Sequence, residues 1–195
     1  MSRVDTKRRM RTDALEARRL AARESGAAGE LLAKIFWAGF RDYLAAAPPQ
    51  VISGYWPMRD EIDVSPLMDR LSGMGIDCAL PAVTGKGLPL VFRRWRSGDE
   101  LKSGPFGTSE PLLDAPAIVP TLVLAPLLAF DRSGGRLGYG GGFYDRSLTA
   151  LRQGGPVKAV GVAFDAQEID QAPMTASDQR LDWVVTQIRF IQCAG

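Results

Sequence analysis

From residue 51 onward the chain is written as short apolar runs broken by turn residues, the pattern of strands alternating with helices in a mainly parallel sheet. The runs predict strands over 51–55, 78–81, 90–95, 121–125, 157–163 and 183–185, with helices over 64–71 and 143–152. Two helical segments precede them. Residues 5–24 are rich in Ala, Leu, Arg and Glu with neither Pro nor Gly, and Ser25-Gly26 supplies a stop. Leu31, Leu32, Ile35, Phe36, Phe40 and Leu44 then recur at helical spacing, and Pro48-Pro49 closes that segment. Gly- and Pro-rich stretches over 84–89 and 97–116 are long enough to be functional loops.

A chain of 195 residues, with 46% hydrophobic and 24% charged residues, has the means to fold as one domain over 1–195 around a substantial core. Its charge is uneven. Residues 1–25 hold eight of the 24 Lys and Arg and four of the 22 Asp and Glu, so this segment is +4 and the remainder −2. Such a start suits a phosphate-bearing ligand, a nucleic acid, an acidic membrane surface or simply a solvated helix face. Two cysteines and no histidine exclude a disulfide framework and a zinc site, and they suit a reducing cytoplasm. No apolar run reaches bilayer length, and Asp5, Asp13 and Glu16 argue against a transit peptide.

The most informative stretch runs from Phe130 to Asp145, between a predicted buried strand and a predicted helix. Gly138, Gly140, Gly141 and Gly142 lack a Cβ, so successive backbone N–H groups can turn toward an anion while the next helix presents its positive end. Arg136 adds a cation at the rim, and Asp145 in the first helical turn is placed to bind a metal ion that also touches phosphates. The run lacks the Gly-Lys-Ser/Thr ending of a P-loop, and Phe143 stands where the dinucleotide pattern needs its third glycine. The same glycines would also serve a flexible turn.

The run Arg136-Leu-Gly-Tyr-Gly-Gly-Gly-Phe-Tyr-Asp-Arg146 resembles the signature of the 5-formyltetrahydrofolate cyclo-ligases, also called methenyltetrahydrofolate synthetases. The resemblance extends in order through Lys7-Arg-Arg-Met-Arg11, Met58-Arg-Asp-Glu61-Ile-Asp, Phe106-Gly-Thr-Ser-Glu-Pro111 and Asp178-Gln-Arg-Leu-Asp182-Trp-Val-Val-Thr186. It implies a three-layer α/β/α fold with a helical N-terminus. It also implies conversion of 5-formyltetrahydrofolate to 5,10-methenyltetrahydrofolate, with ATP and Mg²⁺ as cofactors. In that chemistry the terminal phosphoryl group is placed on the formyl oxygen, the folate's second nitrogen attacks the activated carbon, and phosphate departs. The substrate supplies both nucleophiles, which agrees with a sequence that offers no nucleophile triad.

The resemblance assigns ATP binding to Lys7, Arg11, Arg136, Leu137, Gly138, Tyr139, Gly140, Gly141, Gly142, Phe143 and Tyr144, and chemistry to Arg136, Tyr144 and Asp145. It assigns the metal to Asp145 and Asp182, with Asp178 an alternative to Asp182. Substrate contacts fall on Trp56, Glu61, Phe106 and Tyr139, with Glu61 the carboxylate for the amino-pyrimidine edge of the pterin. Trp56 and Phe106 would serve as stacking surfaces or as core. Some family members carry Arg and Lys where this chain has Tyr139 and Gly141, which shifts charge stabilisation toward backbone, metal and the amino-terminal cations. Many carry a histidine where Ser177 stands. The expected molecule is a cytoplasmic monomer that takes a small-molecule substrate and neither nucleic acid nor membrane. The alternative reading is a non-catalytic binding protein of the same fold.

Overall fold

The computed structural model describes residues 3–46 and 51–194. The expected closing pair Pro48-Pro49 lies outside them. Helix α1 spans Arg3–Glu24 and α2 spans Ala28–Ala46, separated by the predicted stop, where the Ala28 N–H donates to the Ser25 carbonyl. Strands β1 (Val51–Ser53), β2 (Asp77–Ala82), β3 (Val91–Trp95), β6 (Leu122–Pro126), β9 (Lys158–Val162) and β10 (Trp183–Val185) match the six expected runs, while α3 (Ser65–Gly73) and α4 (Phe143–Gly154) match the two later helices. Five short strands were not expected: β4 (Leu101–Ser103), β5 (Ser109–Pro111), β7 (Ala129–Phe130), β8 (Arg136–Leu137) and β11 (Phe190–Gln192). Strands of two or three residues carry too little alternation to be read, and tertiary pairing decides them.

The main sheet runs β11-β10-β9-β6-β1-β2-β3, parallel at every step except the two edges, where β10 pairs β11 and β2 pairs β3 antiparallel. Its strands alternate between two buried faces. Leu122 and Leu124 join Ile52, Leu80, Val160 and Val185 under α2 and α3, whereas Val123 and Ala125 join Ala79, Ala159 and Val184 under Leu148 of α4. That double burial makes the three layers expected from the resemblance. Gly39 lets α2 lie close to β11, since a Cβ there would sit 2.4 Å from the Phe190 ring. No helix among the described residues is long and apolar enough to cross a membrane.

Neighbouring strands β1 and β6 run parallel, so their carboxyl ends open on the same side of the sheet. The loop carrying Glu61 follows β1, and the glycine run follows β6 through the β7–β8 hairpin. In open parallel sheets this is where ligands bind.

Candidate active site

Asp131 builds the turn that presents the glycine run. Its Oδ1 accepts from the Ser133 N–H, the Ser133 hydroxyl and the Gly135 N–H, and its Oδ2 accepts from the Ala172 N–H. Desolvation pushes this carboxyl upward, but those four donors outweigh it and hold Asp131 below the ordinary carboxylate range. The hairpin then delivers Arg136 and Leu137 inward. Leu137 is buried and its carbonyl accepts from the Leu128 N–H, so it anchors the loop from below and presents no side chain to a ligand.

Arg136 also departs from expectation. It is buried, not at the rim; one guanidinium nitrogen donates to Asp145 and another to the Gln179 carbonyl. Its charge is therefore committed to positioning Asp145, whose Oδ1 also accepts from the Gln179 N–H. The chain crosses Gly138 to Gly142 and enters α4, with Gly140 at φ 97° and Gly142 at φ 65°, conformations that only glycine adopts without strain. No side chain caps α4. The backbone N–H groups of its first turn thus face the loop without intrahelical acceptors.

Helix α1 lies against this loop. Arg11 Nε donates to the Gly138 carbonyl at 3.0 Å, and a Cβ on Gly140 would stand 3.1 Å from the Arg11 guanidinium carbon. Lys7 pairs at 3.2 Å with Asp178, which also accepts from the Thr175 N–H. Desolvation raises Asp178, and the Thr175 donors with Lys7 more than offset it, leaving the carboxyl below its ordinary value. Arg18, which sequence reasoning passed over, donates Nη2 to the Tyr139 hydroxyl at 2.5 Å and stands 3.6 Å from Glu61 Oε1. At about 100° per residue, Lys7, Arg11 and Arg18 fall within about 40° on one helix face. That stripe was the available signal for Arg18.

Tyr139 donates its hydroxyl to Glu61 Oε1 at 3.2 Å, so the glycine loop and the expected folate carboxylate meet directly. Burial raises Glu61 above the ordinary carboxylate range against the opposing pull of the Met58 N–H, Arg18 and Tyr139. Burial and then the Glu61 charge raise both the Tyr139 and Tyr144 phenols, so each is a neutral hydroxyl at physiological pH. Phe106 is exposed at φ 62° and tilts toward the Phe143 ring at 5.8 Å, beside the start of α4. Trp56 is partly exposed and meets Trp95 edge-on at 6.5 Å.

Asp182 does not join this group. Its Oδ1 pairs with Lys158, while its Oδ2 takes Arg152 and the Ala159 N–H. Two cations and a backbone donor hold it in place. Arg152 reaches from Asp182 to the Gln179 side chain, whose residue's own N–H contacts Asp145. Asp178, by contrast, lies close enough to Arg136 for its charge to be felt there. Among the described residues no three metal-ligating side chains cluster.

A sequence profile of the 5-formyltetrahydrofolate cyclo-ligase family matches residues 3–187, from α1 through Gln187. The chain belongs to this family. Similar cyclo-ligases include the protein named 5-formyltetrahydrofolate cyclo-ligase of Escherichia coli K12, 35% identical over 134 residues covering 65% of this chain and 71% of that one. The protein of the same name from Mycolicibacterium smegmatis is 33% identical over 150 residues, covering 73% and 76%. Among solved structures, the Aquifex aeolicus 5,10-methenyltetrahydrofolate synthetase superposes with a TM-score of 0.75 at 26% identity, covering 97% of this chain and 93% of that one. In this cyclo-ligase the matched span takes in Lys7, Arg11, Arg18, Glu61, the glycine loop, Asp145 and Asp178 together.

Proposed function

We propose that ATP lies along the glycine loop and the pterin end of the folate lies at Glu61, in the ATP-dependent conversion of 5-formyltetrahydrofolate to 5,10-methenyltetrahydrofolate. The observation that carries this arrangement is the hydrogen bond from Tyr139 to Glu61, because it joins the glycine loop to Glu61. Two ligands that must react in line need their sites side by side.

The chain's own groups suit the demands of phosphoryl transfer. The open start of α4 and the loop N–H groups hold phosphate oxygens, and Lys7 and Arg11 place cations on the same side. Tyr144, kept neutral by burial and the Glu61 charge, offers a hydroxyl that can donate a hydrogen bond. Phe106, exposed beside Phe143, offers a ring face at the mouth, and Trp56 a second one. Mg²⁺, when bound, neutralises charge on the phosphates and polarises the bond being broken. Asp145, with Asp178 as second carboxylate, fits that ion, since Mg²⁺ takes one or two carboxylates and completes its shell with phosphate and water. Asp182 is instead held by Arg152, Lys158 and the Ala159 N–H. The formyl oxygen gains the phosphoryl group, ADP leaves, the second folate nitrogen attacks the activated carbon and gives up its proton to close the ring, and phosphate departs with the former formyl oxygen. Work as a monomer in the cytoplasm belongs to the same proposal, and the free Cys78 and Cys193 suit it.

Glu61→Gln tests the folate end. The KM for 5-formyltetrahydrofolate is expected to rise by about 100-fold, the scale of losing a charged hydrogen-bonding partner, while the KM for ATP stays within about threefold. An equal rise in both constants would contradict the assignment.

A further inference from the structure

Glu61, Tyr139 and Arg18 come from three separate places: the loop after β1, the glycine loop and the middle of α1. Both oxygens of Glu61 are engaged, Oε2 by the Met58 N–H at 2.9 Å and Oε1 by the Tyr139 hydroxyl at 3.2 Å. Tyr139 has a single hydroxyl proton, so it cannot donate to Glu61 and to a phosphate oxygen together. Arg18 has donors in reserve. It is 1% exposed, and its buried Nε and Nη1 donate to no acceptor among the described residues. Nη1 stands 3.6 Å from Glu61 Oε1, near enough to attract it and just beyond a hydrogen bond.

We propose that Tyr139 is a switch shared by the two ligands, and that Arg18 is the positioning residue that keeps Glu61 compensated when the switch moves. The inference rests on Glu61 being the folate carboxylate. Pterin donors that engage Glu61 displace the Tyr139 hydroxyl, and Arg18 Nη1 closes onto the carboxylate in its place. The released Tyr139 is 40% exposed and is flanked by Gly138 and Gly140, which give its backbone room to turn. Its hydroxyl then donates to the nucleotide's phosphates. Each ligand thus removes a competitor of the other, and by linkage the coupling is mutual.

The test is calorimetric titration of 5-formyltetrahydrofolate, with and without a saturating non-hydrolysable ATP analogue and Mg²⁺. In the wild type the analogue is expected to tighten folate binding by about tenfold, within the usual range of such couplings. In Tyr139→Phe both ligands still bind, and the ratio falls to within about twofold of unity. Arg18→Met is expected to weaken folate binding by more than about tenfold, and Arg18→Lys, which keeps the charge, to recover part of that loss. A role confined to stability would move the melting temperature of these variants and leave the ratio intact. Full coupling in Tyr139→Phe, or none in the wild type, would overturn the switch. A wild type that binds nucleotide but no folate would overturn the folate assignment of Glu61, and the switch with it.

Discussion

Asp145→Asn is expected to lower turnover by about 100-fold or more while the chain stays folded. The side chain's Oδ1 accepts from Arg136 and from the Gln179 N–H, and an amide oxygen at the same place can accept both. What disappears is the negative charge at the start of α4, where the metal-phosphate complex is proposed to sit. The buried Arg136 loses its counter-charge, so some stability is lost as well. Because the hydrogen bonds persist, the cost should be about 1–2 kcal/mol, below the range for outright removal of a buried partner. A chain of this size then melts about 2–8 °C lower. Steady-state kinetics beside a thermal melt separate the two effects. Turnover within threefold of the parent would show that Asp145 serves only to hold Arg136.

Asp131→Ala should be the most damaging single change to the fold near the site. It removes the shared acceptor of the Ser133, Gly135 and Ala172 N–H groups and of the Ser133 hydroxyl. Hydrogen bonds to a charged group contribute about 1.5–3 kcal/mol each, are not additive, and leave buried donors stranded when lost. The expected loss is about 4 kcal/mol, or a melting temperature about 8–16 °C lower. Activity should fall with it, since the β7–β8 hairpin delivers Arg136 to the glycine loop. The pH dependence has a definite sign. Asp131 is held below its unfolded value, so its contribution is complete above about pH 4, the unfolded carboxylate range, and fades as the pH falls through the folded value. The gap between parent and variant should therefore shrink in acid. A gap that stays constant from pH 7 down to strongly acidic conditions would contradict this account.

The main sheet was legible because its longer strands are buried on both faces and leave continuous apolar runs, as over Leu122–Pro126 and Lys158–Val162. The β7–β8 hairpin was not, because Ala129-Phe130 and Arg136-Leu137 are too short to show a period, and Asp131, which sets their turn, reads as an ordinary loop acid. The glycine loop could be read from its composition, and Gly140 and Gly142 take the positive φ that such a run allows. The fate of the charges could not. Arg136 reads as a rim cation and is spent on Asp145 beneath the loop. Asp178 and Asp182 are near neighbours in sequence, yet one faces Lys7 and the other faces Arg152 and Lys158. Pairing across elements decides such cases, and no local pattern records it. Arg18 lies one heptad beyond Arg11 and was visible as part of a stripe, but a stripe of cations on a polar helix reads equally as solvated surface.

The chain couples ATP cleavage to ring closure of a formylated folate. Methenyl-folate absorbance and ADP release, followed together on one purified sample, test it most directly. The two signals are expected to rise at equal rates, with both abolished when ATP, divalent metal or 5-formyltetrahydrofolate is omitted. Protein that binds both ligands yet forms no methenyl-folate, or that cleaves ATP at the same rate without the folate, would contradict it.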